Sequence, residues 1–490
     1  MTKRNRTEQK MGSRRWKLLA VLCAVYFMVI LDAAIVRVAI PSIERDLQMS
    51  SEGLQWVANA YMLTFGALLL LGGRMGDLLG RRRLFVGGLV VFTVASLLCG
   101  LAASGAALIA FRAVQGLGAA AMTPAALSTL MTTFPEGAER NKAIGAWGAI
   151  GGLGATAGWI VGGPLVDGPG WEWIFWLNVP IGVVLLAFAL RLLPESRDAS
   201  APRSFDTAGA LTVTGALALL MYTLVEAPSA GWGSPRTVSL FALAAGLLVA
   251  FVMIEARAKA PLMPLRIFRS RTLVAANVGL GFAAASVYSM SFVLALYGQE
   301  VLGYSALEFG FAGLVLPLTV AVGALVGQAL VTRVGSARVS GVAMGFLVFG
   351  FVLLAGVSVN GSYVSDMLPA LLVFGPPLGA AFSSYSIATL QGVGQGDAGL
   401  ASGLNNTFEQ IGGAFGTAVL ATIASAHTAD LLHANVGVRP ALNEGFQLAF
   451  TAGIALPLLG LVASLFLAGR RRRSDAGLGQ LEPLPAGAAE

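Results

Sequence analysis

Gly73-Arg74-Met75-Gly76-Asp77-Leu78-Leu79-Gly80-Arg81-Arg82-Arg83 stands between two apolar runs, residues 54–72 and 84–103. Four arginines and an aspartate have no place in hydrocarbon, whereas each flanking run has the ~20 residues that cross a bilayer core. The segment therefore reads as a short polar loop joining two membrane-spanning helices. Helix is the expected form, because away from water each segment must satisfy its own backbone polar groups.

The same alternation extends in both directions. Spanning helices are expected near 17–40, 54–72, 84–103, 105–132, 141–165, 172–193, 206–226 and 237–256. Six more are expected near 272–297, 306–332, 339–359, 366–390, 399–426 and 445–468, so the fold class is an all-α, polytopic membrane protein with fourteen spans. Hydrophobic residues make up 56% of the 490 and charged residues only 12%, against roughly 25% charged in a soluble domain. The 62 glycines, weak helix formers in water, let helices approach closely in lipid. Lys3, Arg4, Arg6, Arg14, Arg15 and Lys17 precede the apolar stretch Leu18 to Ile40. That stretch exceeds the ~7–15 residues of a signal-peptide core and lacks a clear cleavage site, so it reads as a retained first helix.

Charge orients the spans. With the N-terminus inside, 27 of the 32 lysines and arginines fall on cytoplasmic segments. Only Arg45, Arg236 and Arg439 fall on outer loops, and Arg37 and Arg112 fall within spans. A wrong helix count would scramble this positive-inside alternation, so both termini are expected in the cytoplasm. A weaker copy of the opening segment, Thr332-Arg333-Val334-Gly335-Ser336-Ala337-Arg338, follows the tenth span. Parallel six-helix repeats are a common transporter plan, and the copy's position requires a division into six, two inserted and six. The expected organisation is a tail (1–16), a six-helix bundle (17–193), an inserted helix pair with linkers (194–271), a second six-helix bundle (272–468) and a disordered tail (469–490).

Three charged residues stand inside expected spans in places that suggest work. Asp32 lies about eight residues, or ~12 Å, from the outer end of the first helix, and Arg112 about seven residues, or ~10 Å, from the outer end of the fourth. They share a depth, and an intramembrane acid is a functional candidate by default. Burial disfavours a carboxylate's charge and a guanidinium favours it, so alternation between the two settings would bind and release a proton. A static pair joining two helices is the plainer reading. Glu409, near the middle of the thirteenth span, could bind a proton or a cation, or serve as a hydrogen-bonded structural residue.

Taken together, these segments resemble the major facilitator superfamily, specifically its fourteen-helix drug:proton antiporter branch, over nearly the whole chain. Gly73, Asp77, Gly80 and Arg81 look like that superfamily's signature between helices 2 and 3. The resemblance implies a gating loop whose arginines pair across the interface between the halves. Leu31-Asp32 to Ile40-Pro41 is similar to the branch's first-helix segment but departs at Ala34 and Arg37, where a hydroxyl and an Asn are usual. Arg112-Ala113-Val114-Gln115-Gly116 looks like the motif associated with proton coupling, and the family's fold would place Asp32 and Arg112 on the central cavity. Gly154, Gly158, Gly162 and Gly163 resemble the antiporter signature of helix 5, with Trp159 at the expected Pro position. They read either as a small-residue packing face or as a pliable helix that prevents leak. Trp171 to Pro180, Gln299 to Ser305 and Gly403 to Gly413 are further family-like pieces.

Several classes are excluded. No lysine is followed by Ser or Thr, so no phosphate-binding loop exists, and neither H-E-x-x-H nor a nucleophile elbow appears. An enzyme is not expected. Cys23 and Cys99 lie in apolar segments and read as packing residues, and His427 and His433 do not make a metal site. Basic charge follows topology rather than forming a nucleic-acid surface. The expected function is export of a small lipophilic substrate, cationic if Asp32 and Glu409 face the cavity, by a monomer driven by the proton gradient with no cofactor. The expected location is a bacterial cytoplasmic membrane. A dedicated exporter of one endogenous metabolite or antibiotic, a passive facilitator and a non-transporting sensor are the alternatives.

Overall fold

The computed structural model describes residues 3–49, 51–135, 137–195, 206–258, 261–391, 393 and 397–478. Fourteen helices are long and apolar enough to cross a membrane. In chain order they are α1 (Arg14–Val36), α2 (Trp56–Gly76), α3 (Arg81–Gly100), α4 (Gly105–Thr133) and α5 (Ala138–Asp167). Next come α6 (Trp173–Leu192), α7 (Thr207–Ala230), α8 (Pro235–Arg257), α9 (Arg271–Val301) and α10 (Glu308–Val334). The last four are α11 (Ser336–Leu354), α12 (Tyr363–Gln391), α13 (Gly399–His433) and α14 (Val438–Leu467). Each falls on an expected span. An even number returns the chain to the side on which it started, called the terminal side below.

The helices outrun the expected boundaries. The first helix begins at Lys3 and continues to Leu47, and the last continues to Leu478, past the arginines where a tail was expected to begin. The expected loop between α2 and α3 is also mostly helix. One helix ends at Leu79, the next starts at Arg81, and the break is Gly80 alone, at φ +105°. The weak copy behaves alike: helices end at Val334 and restart at Ser336 around Gly335, at φ +88°. A left-handed residue reverses the chain in one step, and glycine adopts it without steric cost. Several other starts are capped by side chains, as Ser104, Asp206, Ser234 and Ser305 each accept a backbone N–H of the first turn.

Glycines set how closely the helices approach. A Cβ on Gly118 of α4 would stand 2.6 Å from the Phe92 nitrogen of α3, and one on Gly416 of α13 would stand 2.7 Å from the Ala285 Cα of α9. Two large apolar cores result. One, from Ala276 to Leu456, draws on α9, α11, α12, α13 and α14. The other gathers α1 to α7 and, at the terminal side, also takes in Val331, Val339, Ile387, Leu390, Leu400 and Leu404 from α10 to α13. A third core, at the opposite end of α1 to α4 and α6, includes Leu31, Val57, Leu108 and Phe175 and takes nothing from α9 to α14. The halves are thus joined by continuous apolar packing at the terminal side.

Candidate functional site

Asp32 is fully buried, on α1, and its carboxylate collects donors from two other helices. Arg112 Nη1 of α4 donates to Oδ2 at 2.6 Å, while Gln115 Nε2 of α4 and Asn178 Nδ2 of α6 each donate to Oδ1 at 2.8 Å. Arg112 sits three residues before Gln115, so one helix face presents both, and Nη1 also donates to Gln115 Oε1 at 2.6 Å. Arg112 Nε donates to the Val57 carbonyl at 3.0 Å, and Gln115 Nε2 donates to Ser96 Oγ of α3 at 2.7 Å. The guanidinium lies 4.3 Å from the Tyr61 ring centroid and 5.6 Å from that of Phe175, a cation–π setting that replaces lost hydration.

Asp32 and Arg112 pair, but their surroundings are not those expected from the sequence. Both side chains face α2, α3 and α6 inside the first half and have no measurable exposure to a central cavity. A charge pair in hydrocarbon must satisfy its remaining lone pairs and protons, and packing it against polar neighbours within one bundle does so better than an open cavity.

Glu409 is half-buried on α13, which packs closely against α9. Tyr288 of α9 hydrogen-bonds its side chain, and Tyr26 of α1 lies within its electrostatic reach. The Tyr26 ring stacks on Trp147 of α5 with centroids 4.2 Å apart and planes 12° from parallel. Tyr26 is also within reach of Tyr61, the residue beneath Arg112. A Tyr288–Glu409 pair in one half and a Tyr26–Trp147 stack in the other thus lie within electrostatic reach of each other. Glu409 was visible in the sequence, whereas Tyr26, Trp147, Tyr288, the donor Asn178 and the acceptor Ser96 were not. Polar-tipped aromatics in mid-span were the available signal, since a buried phenol usually needs a partner.

The remaining candidates serve the seam between the halves and the packing around it. Gly73 of α2 meets the Gly399 carbonyl and lies within a close approach of Gly403, both on α13. Gly80 makes the break described above, and a Cβ there would meet the Glu195 carboxylate. The arginines expected to pair across the halves do otherwise: Arg82 Nη2 donates to the Leu190 carbonyl at 2.6 Å, and Arg83 lies 3.6 Å from Glu195, both within the first half. Arg81 is buried. The side chains of Asp77, Arg37 and Trp159 lie outside the described residues. Gly154, Gly158 and Gly162 all face α1, against Ile30, Ala34 and Val38, and Gly163 is buried beside them. Gly152, on another face of α5, meets the Pro317 carbonyl of α10.

The sequence profile of the Major Facilitator Superfamily matches residues 22–417. This chain belongs to that superfamily. It is a transporter, not an enzyme, with the superfamily's fold in a fourteen-helix form. The puromycin resistance protein pur8 of Streptomyces alboniger is 35% identical over 481 residues, 96% of this chain and 95% of that protein. The cephamycin export protein CmcT of Amycolatopsis lactamdurans is 39% identical over 84% of this chain and 85% of its own length. The tetracenomycin C resistance and export protein of Streptomyces glaucescens is 37% identical over 85% of this chain and 77% of its own. Among solved structures, the human organic anion transporter MFSD10 superposes with a TM-score of 0.61 at 17% identity, covering 93% of this chain and 98% of that one. At that identity the likeness speaks for the fold alone.

Proposed function

We propose that this transporter exports small lipophilic compounds, drugs or antibiotics, from a bacterial cytoplasm in exchange for protons, by alternating access, as a monomer with both termini cytoplasmic. The observation that carries the reading is Glu409, a half-buried acid of α13 that Tyr288 of α9 hydrogen-bonds and that lies within electrostatic reach of Tyr26 in the other half. A group there changes its surroundings whenever the halves rock against each other, and an intramembrane acid can exchange a proton as they do. Asp32 and Arg112 form the second element, a sealed pair in the first half. Tyr26 and Tyr61 stand between it and Glu409 and supply a path for coupling. The stacked Tyr26 and Trp147 offer an apolar face to a flat lipophilic substrate, with Glu409 beside it for a positive charge. Relatives whose printed names describe resistance to, or export of, puromycin, cephamycin and tetracenomycin C support export over import. They also favour a narrower second reading, export of one endogenous antibiotic.

On this orientation the terminal side is cytoplasmic, in accord with the positive-inside distribution, and the closed end of the molecule faces the cytoplasm. Gly73 and Gly80 would serve as the gate's contact and pivot, and the α5 glycines as the rigid backing of α1. The test is efflux of a fluorescent lipophilic cation from energised cells, for wild type, Asp32→Asn and Glu409→Gln, with and without a protonophore. Efflux that stops with the protonophore and in both variants supports the proposal. Wild-type efflux that survives the protonophore defeats proton exchange, and efflux that survives in both variants defeats the assigned roles.

A further inference from the structure

A second pair of acids lies far along the chain from those above, at the terminal-side base of the inserted helices. Asp206 caps α7, its Oδ1 accepting the Gly209 N–H at 2.7 Å. Glu255 lies in the last turn of α8 and is only 4% exposed. The two side chains converge on one point: a Cβ on Gly209 would meet Asp206 Oδ2 at 2.6 Å and Glu255 Oε1 at 2.8 Å. Among the described residues, no side-chain donor reaches either oxygen of Glu255 or Oδ2 of Asp206. The backbone amides of Leu262 and Met263 are the polar groups that approach Glu255.

A buried carboxylate facing a half-buried one disfavours ionisation of both, because like charges at short range repel and burial further penalises the charge on Glu255. Among the described residues, the buried counter-charge within electrostatic reach of Glu255 is Arg74 of α2, which donates from Nη2 to the Pro261 carbonyl at 3.3 Å and leaves Nε unpartnered. Arg257 of α8 stands exposed at the rim, in water, and Arg266 of the segment 261–269 lies 3.8 Å from Asp397. Arg74 balances one carboxylate, and a proton on the other removes the remaining buried like charge. A route exists for it: Asp206 lines an open cleft of about 550 Å³ together with Ala250, Met253, Ile254 and Arg257.

We propose that Asp206 and Glu255 form a proton-binding carboxyl pair, sharing one proton taken up through the Asp206 cleft, with Arg74 of α2 as its counter-ion. The O–H sits on Glu255 and is donated to the free Oδ2 of Asp206, and release returns the proton to water and leaves both oxygens ionised beside Arg74. The pair ties the inserted helices to the α2 end that precedes Gly80, at a site separate from Asp32 and Glu409.

The test needs no transport substrate. The purified full-length protein in lipid nanodiscs is titrated by infrared spectroscopy, following the carbonyl stretch of protonated carboxyls. The expected result is a titrating carbonyl band that disappears in Glu255→Gln. In Asp206→Asn, which keeps the helix cap because Asn caps as well as Asp, its midpoint moves down by about 1 pH unit as the like charge is lost. In Arg74→Gln it moves up by a similar amount. A wild-type spectrum that Glu255→Gln leaves unchanged, or midpoints that do not separate in opposite directions, would overturn the proposal. Size-exclusion elution of each variant checks folding, and Asp206→Asn keeps the question open to decision if Glu255→Gln does not fold.

Discussion

Arg112 is held by more than its charge. Its Nε bonds the Val57 carbonyl and its plane lies near Tyr61 as well as beside Asp32. Lysine offers a point charge on a flexible stem and no fork, so Arg112→Lys should retain the protein but lose most efflux. Removing the other partner is harsher. Asp32→Asn leaves a buried guanidinium uncompensated, and breaking such a pair costs ~3–5 kcal/mol. We expect its thermal unfolding midpoint in detergent to fall clearly and efflux to reach background; a variant as stable as wild type would argue against the sealed pair. Glu409→Gln should behave oppositely. Gln can still accept from Tyr288, so stability should stay within ~1 kcal/mol of wild type, while protonophore-sensitive efflux of a cation disappears. Asp32 and Glu409 were legible as intramembrane acids, because hydrocarbon tolerates few charges. Which of them came within reach of the other half was not, because sequence position sets a residue's depth but not the side of the helix its neighbours occupy.

Among helices, the discriminating case is α5. Gly158 would bring a Cβ within 2.7 Å of Ala34 Cβ and 3.0 Å of the Ile35 nitrogen. Gly158→Val should therefore destabilise by ~1–3 kcal/mol through overpacking. Gly246→Ala on α8, with nothing within 4 Å of the added Cβ, should leave the unfolding midpoint unchanged. Equal effects of the two substitutions would show that close approach of α5 to α1 does not matter. The spacing of four that put Gly154, Gly158 and Gly162 on one face was readable from helical periodicity. That this face meets α1 while Gly152 meets α10 depends on which helices flank α5, and no local pattern encodes that.

For the molecule as a whole, the testable feature is the closed terminal side. Asn141 Nδ2 of α5 donates to Thr332 Oγ1 of α10 at 3.0 Å, a contact between the two halves. The double variant Asn141→Cys with Thr332→Cys should form a disulfide under mild oxidation, and the cross-linked transporter should stop exporting until reduced. Cross-linking without loss of transport would mean that this end does not open during the cycle. The native cysteines should not interfere, since Cys23 and Cys99 are both buried.

The sequence by itself determined the number of spans, their order and the places of the polar breaks at Gly80 and Gly335. Insertion into lipid is governed by the length of each apolar run and the charges at its ends, which are local quantities. It also determined the short list of acids that must have a purpose. The tertiary structure alone decided that Asp32 and Arg112 are sealed within one half, that Glu409 pairs with Tyr288 within electrostatic reach of Tyr26, and that Arg82 and Arg83 bind within their own half. Those outcomes follow from how helices far apart in the chain rotate and pack to satisfy buried polar groups, and that satisfaction is a property of the assembled bundle rather than of any one segment.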